Sequence, residues 1–366
     1  MANPERRWVL VTDGGHGGSR DCVAAVRGLA EGGYRVAVTV SSGSSRAAPS
    51  RFATRRVPTP RADEGGFIEA IEAETALHDY LTVLPASEGA LLALGVTTVH
   101  LTDKEQLERA AAEVGLSAPA SRLVTTTDDL PERAEEVGYP LVAKPLQRTS
   151  SAARIDSPEH LERLAGMELP LVLQSWVSEG LHEVSGVMWK GRLVAATHDR
   201  WLRIWPPRCG LASAAITTEP DDDLEAKLVK LLGDHEGVFG AQFAGPHLID
   251  LNLRVGSLHS LSVAAGANLV SLYCRLLEGK SVDPVRGRPG RFYRWLEGDL
   301  RHLMHAVRSH ETSAATALGQ LRPRRGAAHS IESLRDPAPI LTRLMYGASR
   351  AHLPADERAK GRSAHG

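Results

Sequence analysis

Cysteine is scarce in this chain: the 3 present in 366 residues, Cys22, Cys209 and Cys274, stand far apart and form no CxxC pair. Their spacing excludes a disulfide framework and a CxxC-type zinc site. The 15 histidines show no HxH or HExxH spacing, which removes the common zinc-enzyme patterns. An excess of either charge is also missing, with 43 Lys plus Arg against 44 Asp plus Glu, so nothing in the composition draws the chain to nucleic acid or to a membrane surface. No apolar run reaches the length of a membrane span, and the opening residues MANPERRWVLVTDGG have no apolar signal-peptide core. The expected location is the cytoplasm. Aromatic residues make up 5%, yet 42% hydrophobic content over 366 residues suffices for two or three domains and a large core. There is no internal repeat.

What is present begins as a βαβ pattern. Residues 8–12 (WVLVT) read as a strand, Asp13 to Ser19 (DGGHGGS) as a glycine-rich turn, and Cys22, Val23, Val26 and Leu29 recur at helical spacing before a second strand at 35–40. Such a unit invites a dinucleotide reading, but the last glycine of G-x-G-x-x-G falls on Arg20 and SSGSSR stands where an acid should end the second strand. This departure disfavours an NADP-dependent oxidoreductase. A helix at 67–75, a strand at 80–85, a short helix at 87–94 and a strand at 97–101 continue the alternation and predict a parallel sheet. The next helix has Thr102 as candidate cap and Leu107, Ala111 and Val114 on one face. Lys104 lies in its first turn, where a cation opposes the helix dipole, which suggests a functional role unless the lysine is merely solvated.

Further on, a helix at 128–137 stops at Gly138-Tyr139-Pro140, and the strand LVAKP at 141–145 carries Lys144 in an apolar body, a costly position unless an anion such as nucleotide phosphate pairs with it. A strand at 171–176 (LVLQSW), a hairpin of 182–189 with 192–197 turning at Lys190-Gly191, and a helix at 224–232 follow. Then two short strands, 238–243 and 247–253, meet at Gly245-Pro246. On the second, Asp250, Asn252 and Arg254 alternate with Ile249, Leu251 and Leu253, and Gln242 can fall opposite them. An acid and two amides offer hard oxygen ligands suited to Mg2+, with Mn2+ as a substitute, and the arginine suits phosphate or an acyl-phosphate oxyanion. A solvated face of an ordinary hairpin would show the same alternation.

The stretch DKEQLERAAAEVGLSAPAS around Lys104, YPLVAKP around Lys144, and the hairpin QF followed by IDLNLR together resemble the ATP-grasp superfamily. They are most similar to its carbamoyl phosphate synthase-like, carboxylate-amine ligase branch, with Asp250 where Glu is more usual. The resemblance covers about residues 8–283. It implies an α/β fold: an N-terminal doubly wound domain over 1–97, a two-lobed α+β ATP-grasp domain over 98–283 with its lid lobe at 128–175, a helical extension over 284–350, and a tail at 351–366 whose small, charged composition predicts disorder. By the same resemblance Lys104 and Lys144 meet ATP phosphates. Gln174, Ser175, Trp176 and Val177 form the adenine hinge, Glu183 binds the ribose, and Gln242, Asp250 and Asn252 hold the metal. Arg254 stabilises an acyl phosphate, and Arg203 and Arg208 in WLRIWPPRCG face the substrate or are surface loop arginines. The segment LQRTSSAARI takes the place of the phosphate-covering loop and contains no glycine. The implied activity is ATP-driven amide or peptide bond formation between a small carboxylate and an amino-acid-like amine. The alternative is a catalytically degenerate module that binds nucleotide without turnover. A homodimer is compatible with this reading.

Overall fold

The computed structural model describes residues 7–13, 20–41, 45–96, 98–145 and 152–341. The glycine turn at 14–19, the middle of SSGSSR, LQRTSS at 146–151 and the tail from 351 lie outside the described residues.

Strands β1 (Trp8–Thr12) and β2 (Arg35–Val40) sandwich helix α1 (Arg20–Glu31) in sequence and pair in parallel, as the βαβ pattern predicts. Cys22, Val23, Val26 and Leu29 are all fully buried along one face of α1. The strand β3 (Ala53–Pro58) has no counterpart in the sequence reading, because an edge strand spelled ATRRVP buries only Val57 and leaves no period of two to detect. Helix α2 (Phe67–Leu77), strand β4 (Tyr80–Pro85) and helix α3 (Glu88–Ala93), capped by Ser87, complete a four-stranded parallel sheet in the order β3-β2-β1-β4. The described residues of the strand expected at 97–101, from 98 on, do not form a strand. Residues Val99–Thr102 make a 3-10 turn, and Leu101 packs with Leu107, Leu116 and Phe243 in the next core rather than on the parallel sheet.

Helix α4 (Lys104–Glu113) is capped by Asp103, not Thr102: the Asp103 carboxylate accepts from the Glu105 and Gln106 N–H groups. Strand β5 (Ser121–Val124), helix α5 (Leu130–Val137), strands β6 (Leu141–Pro145) and β7 (Ala153–Ile155), and β8 (Leu171–Ser175) build a small antiparallel lobe in the order β5-β8-β6-β7. A separate core of Val124, Ala134, Leu141, Ile155 and Leu173 holds it together.

The large sheet carries β9 (Leu181–Trp189) and β10 (Arg192–Trp205), whose turn takes positive φ at Lys190 (49°) and Gly191 (69°), the pairing that matches the twist of a tight hairpin. Strand β11 (Leu211–Thr217), helix α6 (Asp222–Leu232), strands β12 (Gly237–Ala244) and β13 (His247–Asn252), and helices α7 (His259–Ala264) and α8 (Leu269–Leu277) follow. The segment expected as a helical extension also contributes strands: β14 (Val285–Arg286) and β15 (Phe292–Arg294) precede helices α9 (Leu296–Arg308) and α10 (Ala314–Gln320), and β16 (Ala328–His329) follows them. The eight-stranded sheet runs β13-β12-β9-β10-β11-β15-β16, with β14 beside β10. One face packs on α4 and α6 through Val184, Phe239, Ala241 and Leu251. The other packs on α8 and the N-terminal helix α1 through Val187, Ala195, Val238, Val26 and Val270.

Candidate functional site

The hairpin β12–β13 turns at Gly245-Pro246, where Gly245 takes a φ of 53° that a side chain would resist. Gln242 pairs with Asp250 on one side and with Glu183 of β9 on the other, and Glu183 pairs with Asp199 of β10. In-register residues share a face, so Asp199, Glu183, Gln242 and Asp250 form one polar row across four neighbouring strands. The next row on that face is Thr197, Ser185, Gly240 and Asn252. A bulge between Gln242 and Phe243 skips Ile249, and Leu251 turns to the apolar face with 1% of its surface exposed. Gly240 leaves the second row open; a Cβ there would come within 3.1 Å of Glu183 Oε1.

Hydrogen bonds tie the rows into a network. Ser185 Oγ donates to Glu183 Oε1 at 2.7 Å and Gln242 Nε2 donates to Glu183 Oε2 at 3.0 Å. Asn252 Nδ2 donates to Asp250 Oδ2 at 3.1 Å, and Arg254 Nη2 donates to Asn252 Oδ1 at 3.1 Å. Arg254 Nη1 reaches Asp21 Oδ2 at 2.8 Å, in the first turn of α1. Lys104 Nζ is ion-paired with Asp250 Oδ1 and donates to the Thr102 carbonyl at 3.2 Å. The cation that the helix dipole disfavours is therefore held by a carboxylate from the facing hairpin. Burial pushes Glu183 above the ordinary carboxylate range against its hydrogen bonds, and the negative charges of Asp21 and Asp250 push the same way. Asp199 is raised further by burial and by its neighbour Glu183.

The donor set fits a hard divalent cation in chemistry: one carboxylate, Asp250, with the amide oxygens of Gln242 and Asn252 beside it on the same face. Because Gln242 gives its nitrogen to Glu183, its oxygen is directed away from that acid. Among the described residues no group of three or more His, Cys, Asp or Glu side chains is placed to hold a metal, so the amides are needed. Lys104 on Asp250 and Arg254 on Asn252 occupy part of this set in the chain as it stands.

The small lobe holds the other expected residues. Lys144 on β6 donates to Gln174 Oε1 of β8 at 2.8 Å, and Gln174 Nε2 donates in turn to Ser121 Oγ at 3.1 Å. Gln174 thus serves the interior of the lobe. At the hinge the Ser175 and Trp176 N–H groups are bonded to the Ala120 and Pro140 carbonyls, each at 2.9 Å, and the Arg154 guanidinium lies 4.5 Å over the Trp176 ring. Val177 follows just beyond the end of β8. Glu183, expected at the ribose, lies in the row of Gln242 and Asp250. Arg203 departs from the expected substrate contact: its fork is filled by Asp299, at 2.5 and 3.0 Å, and by Gln320 at 2.9 Å. Arg208 is exposed, with a positive φ of 72° in the turn after β10.

Asp21 and Asp199 belong to this constellation and escaped the sequence reading. Asp21 looks like an ordinary acid in a helix first turn, and only the fold brings it to Arg254. Asp199 does alternate with Thr197 and Trp201 on a strand, a pattern that singles out one face once the strand is known.

No protein-family model matches the chain. The carbamoyl phosphate synthase large chain of Vibrio vulnificus is 23% identical over 202 residues, which is 50% of this chain but only 19% of that protein. Among solved structures, the L-amino acid ligase from Bacillus licheniformis aligns with a TM-score of 0.57 at 15% identity, covering 79% of each chain. The N5-carboxyaminoimidazole synthase from Aspergillus clavatus, solved with ADP and 5-aminoimidazole ribonucleotide, aligns with a TM-score of 0.60 at 16% identity over 78% of this chain and 81% of that one. With a parallel N-terminal sheet, a small antiparallel lobe and a large sheet bearing the acid-amide hairpin, this chain has the fold of the ATP-grasp ligases.

Proposed function

We propose that the chain is an ATP-dependent ligase that joins a small carboxylate to an amine through an acyl phosphate, releasing ADP and phosphate. The observation that carries this reading is the set Gln242, Asp250 and Asn252 on one face of the hairpin, with Lys104 and Arg254 bonded into it. The solved ADP complex and the L-amino acid ligase of the same fold support it. Lys104 neutralises Asp250 here, and the same ammonium is available to phosphate oxygens above the hairpin. Lys144, bonded to Gln174 across the small lobe, supplies a second positive charge to the phosphates in this reading. The Ser175 and Trp176 amides and the Gln174 side chain are committed to the lobe, so in this reading Trp176 and Val177 wall the base rather than offer those donors. Mg2+, held by Asp250 with Gln242 and Asn252, would offset phosphate charge and polarise the transferred group. The carboxylate substrate attacks the γ-phosphorus, ADP leaves, Arg254 faces the charge that develops on the acyl phosphate, and the amine displaces phosphate.

A nucleotide-binding module without turnover is the competing reading, favoured by the engagement of Arg254 with both Asp21 and Asn252. An ADP-release screen over pairs of amino acids and other small acids and amines separates the two. Release that requires both a carboxylate and an amine is the expected result. Tight ADP binding with no release across the panel would assign the chain to the second class.

A further inference from the structure

Arg20, the first residue of α1, is a buried cation with no ion-paired acid among the described residues. It is 6% exposed; Nη1 donates to Tyr293 Oη at a long 3.3 Å, the guanidinium lies 4.0 Å over the Trp295 ring, and Nη2 has no partner among the described residues. The adjacent acid, Asp21, is taken by Arg254. Other arginines of the interior show what compensation looks like in this protein: Arg27 has Asp336, and Arg203 and Arg294 share Asp299. A guanidinium taken out of water is costly unless an anion or a full set of acceptors replaces the water, and one phenol oxygen with a ring face does not supply that.

The surroundings point to what does. Trp295 Nε1 is a second buried donor without a partner among the described residues. Glu332 accepts from the Leu296 N–H through Oε1 at 3.1 Å and leaves Oε2 buried and unpartnered among the described residues. Arg20 also follows the carboxyl end of β1, where the order β3-β2-β1-β4 reverses direction, and crevices at such switch points are where doubly wound sheets bind ligands. Through its neighbour Asp21, Arg20 is linked to Arg254 and so to the hairpin site.

We propose that Arg20 and Trp295 form an oxyanion subsite that holds the non-reacting acid group of the substrate, a carboxylate in preference to a phosphate. The preference follows from the donor count: the two unpartnered donors, Arg20 Nη2 and Trp295 Nε1, match the two oxygens of a carboxylate and leave a third phosphate oxygen without one. The identity of the ligand as substrate rests on the ligase reading above; the binding itself needs neither ATP nor turnover.

The test titrates the nucleotide-free protein with sodium acetate and, separately, with inorganic phosphate, by calorimetry and tryptophan emission, with sodium chloride as the ionic-strength control. Acetate should saturate one site and phosphate should bind more weakly. Arg20→Met keeps an apolar stem over Trp295 and should lose roughly tenfold or more in acetate affinity, the size of a lost charge-assisted hydrogen bond. Its apo melting temperature should hold or rise, because an uncompensated buried charge has gone. Unchanged acetate affinity in Arg20→Met overturns the subsite, as does a wild type that responds to acetate no more than to chloride. Phosphate binding tighter than acetate overturns the carboxylate assignment. Should Arg20→Met not fold, Arg20→Lys serves, since it keeps the charge without the fork and must still weaken acetate. Acetate binding intact with no ADP release in any pairing would sink the ligase reading and leave the subsite standing.

Discussion

Arg254 Nη1 and Asp21 Oδ2 lie 2.8 Å apart, joining the exit of the acid-amide hairpin to the first turn of the N-terminal helix. From Arg254 the connection runs through Asn252 to Asp250 and on to Lys104 at the start of α4. The residues proposed to handle phosphate and metal are therefore positioned by both flanking units, not by the hairpin alone.

Breaking that link should cost stability. With side-chain exposures of 4% for Arg254 and 20% for Asp21, Asp21→Ala strands a buried guanidinium and should destabilise the fold by about 3 kcal/mol. Asp21→Ala combined with Arg254→Leu should recover part of the loss in urea unfolding. Losses that simply add would show that the two charges are not coupled.

Asp250→Asn removes the only carboxylate of the proposed metal set and the partner of Lys104. Mg·ATP affinity measured by calorimetry should fall by roughly tenfold to a hundredfold. Equal affinity in wild type and variant would return the hairpin to a structural role.

Gln242→Glu tests the row from its centre. The amide nitrogen that donates to Glu183 becomes an acid facing a buried acid already raised above its ordinary range. For an acid raised by the fold, the contribution to stability is present at low pH and is lost as pH rises. The variant should melt close to wild type at acid pH and well below it at neutral pH; a parallel pair of curves would mean that the two side chains do not meet.

Lys144→Met should weaken ATP binding while costing the lobe about 1 kcal/mol, the net worth of one hydrogen bond, because Gln174 loses its donor but keeps Ser121. Thermal unfolding and nucleotide titration of the same variant check both halves. A collapse of the apo fold would make the lysine structural.

Acid should destabilise the protein between about pH 6.5 and pH 4. Burial lowers His235 and His259 to about 4, so the unfolded chain takes up protons first as pH falls, and stability present above 6.5 drains away through that window. Each histidine is worth on the order of 3 kcal/mol by pH 4. Asp13 opposes them: burial raises it to about 6, so its contribution is present below about 4 and lost as pH rises to about 6. His259→Leu should flatten the acid limb of a melting-temperature profile and Asp13→Asn should steepen it; unchanged slopes would refute the assignment.

The sequence by itself determined the local elements whose signal is local. The apolar run WVLVT, the helical recurrence of Cys22, Val26 and Leu29, the Gly245-Pro246 turn and the alternation of Asp250 and Asn252 with Leu251 each follow from periodicity or turn chemistry. With the motif resemblance they sufficed for the fold class. What only the tertiary structure decided is which charges meet. Lys104 looked like an unexplained cation until β13 brought Asp250 to it, and Arg203 looked available until α9 brought Asp299. The resemblance assigned Glu183 to the ribose, and only antiparallel register shows that it meets Gln242, a residue 59 positions away. Neither the 3-10 turn at Val99–Thr102 nor the polar edge strand β3 was legible, since each takes its conformation from the core it packs against and not from its own pattern. Pairing across a sheet or between domains depends on where distant segments are held, and a one-dimensional pattern carries no record of that.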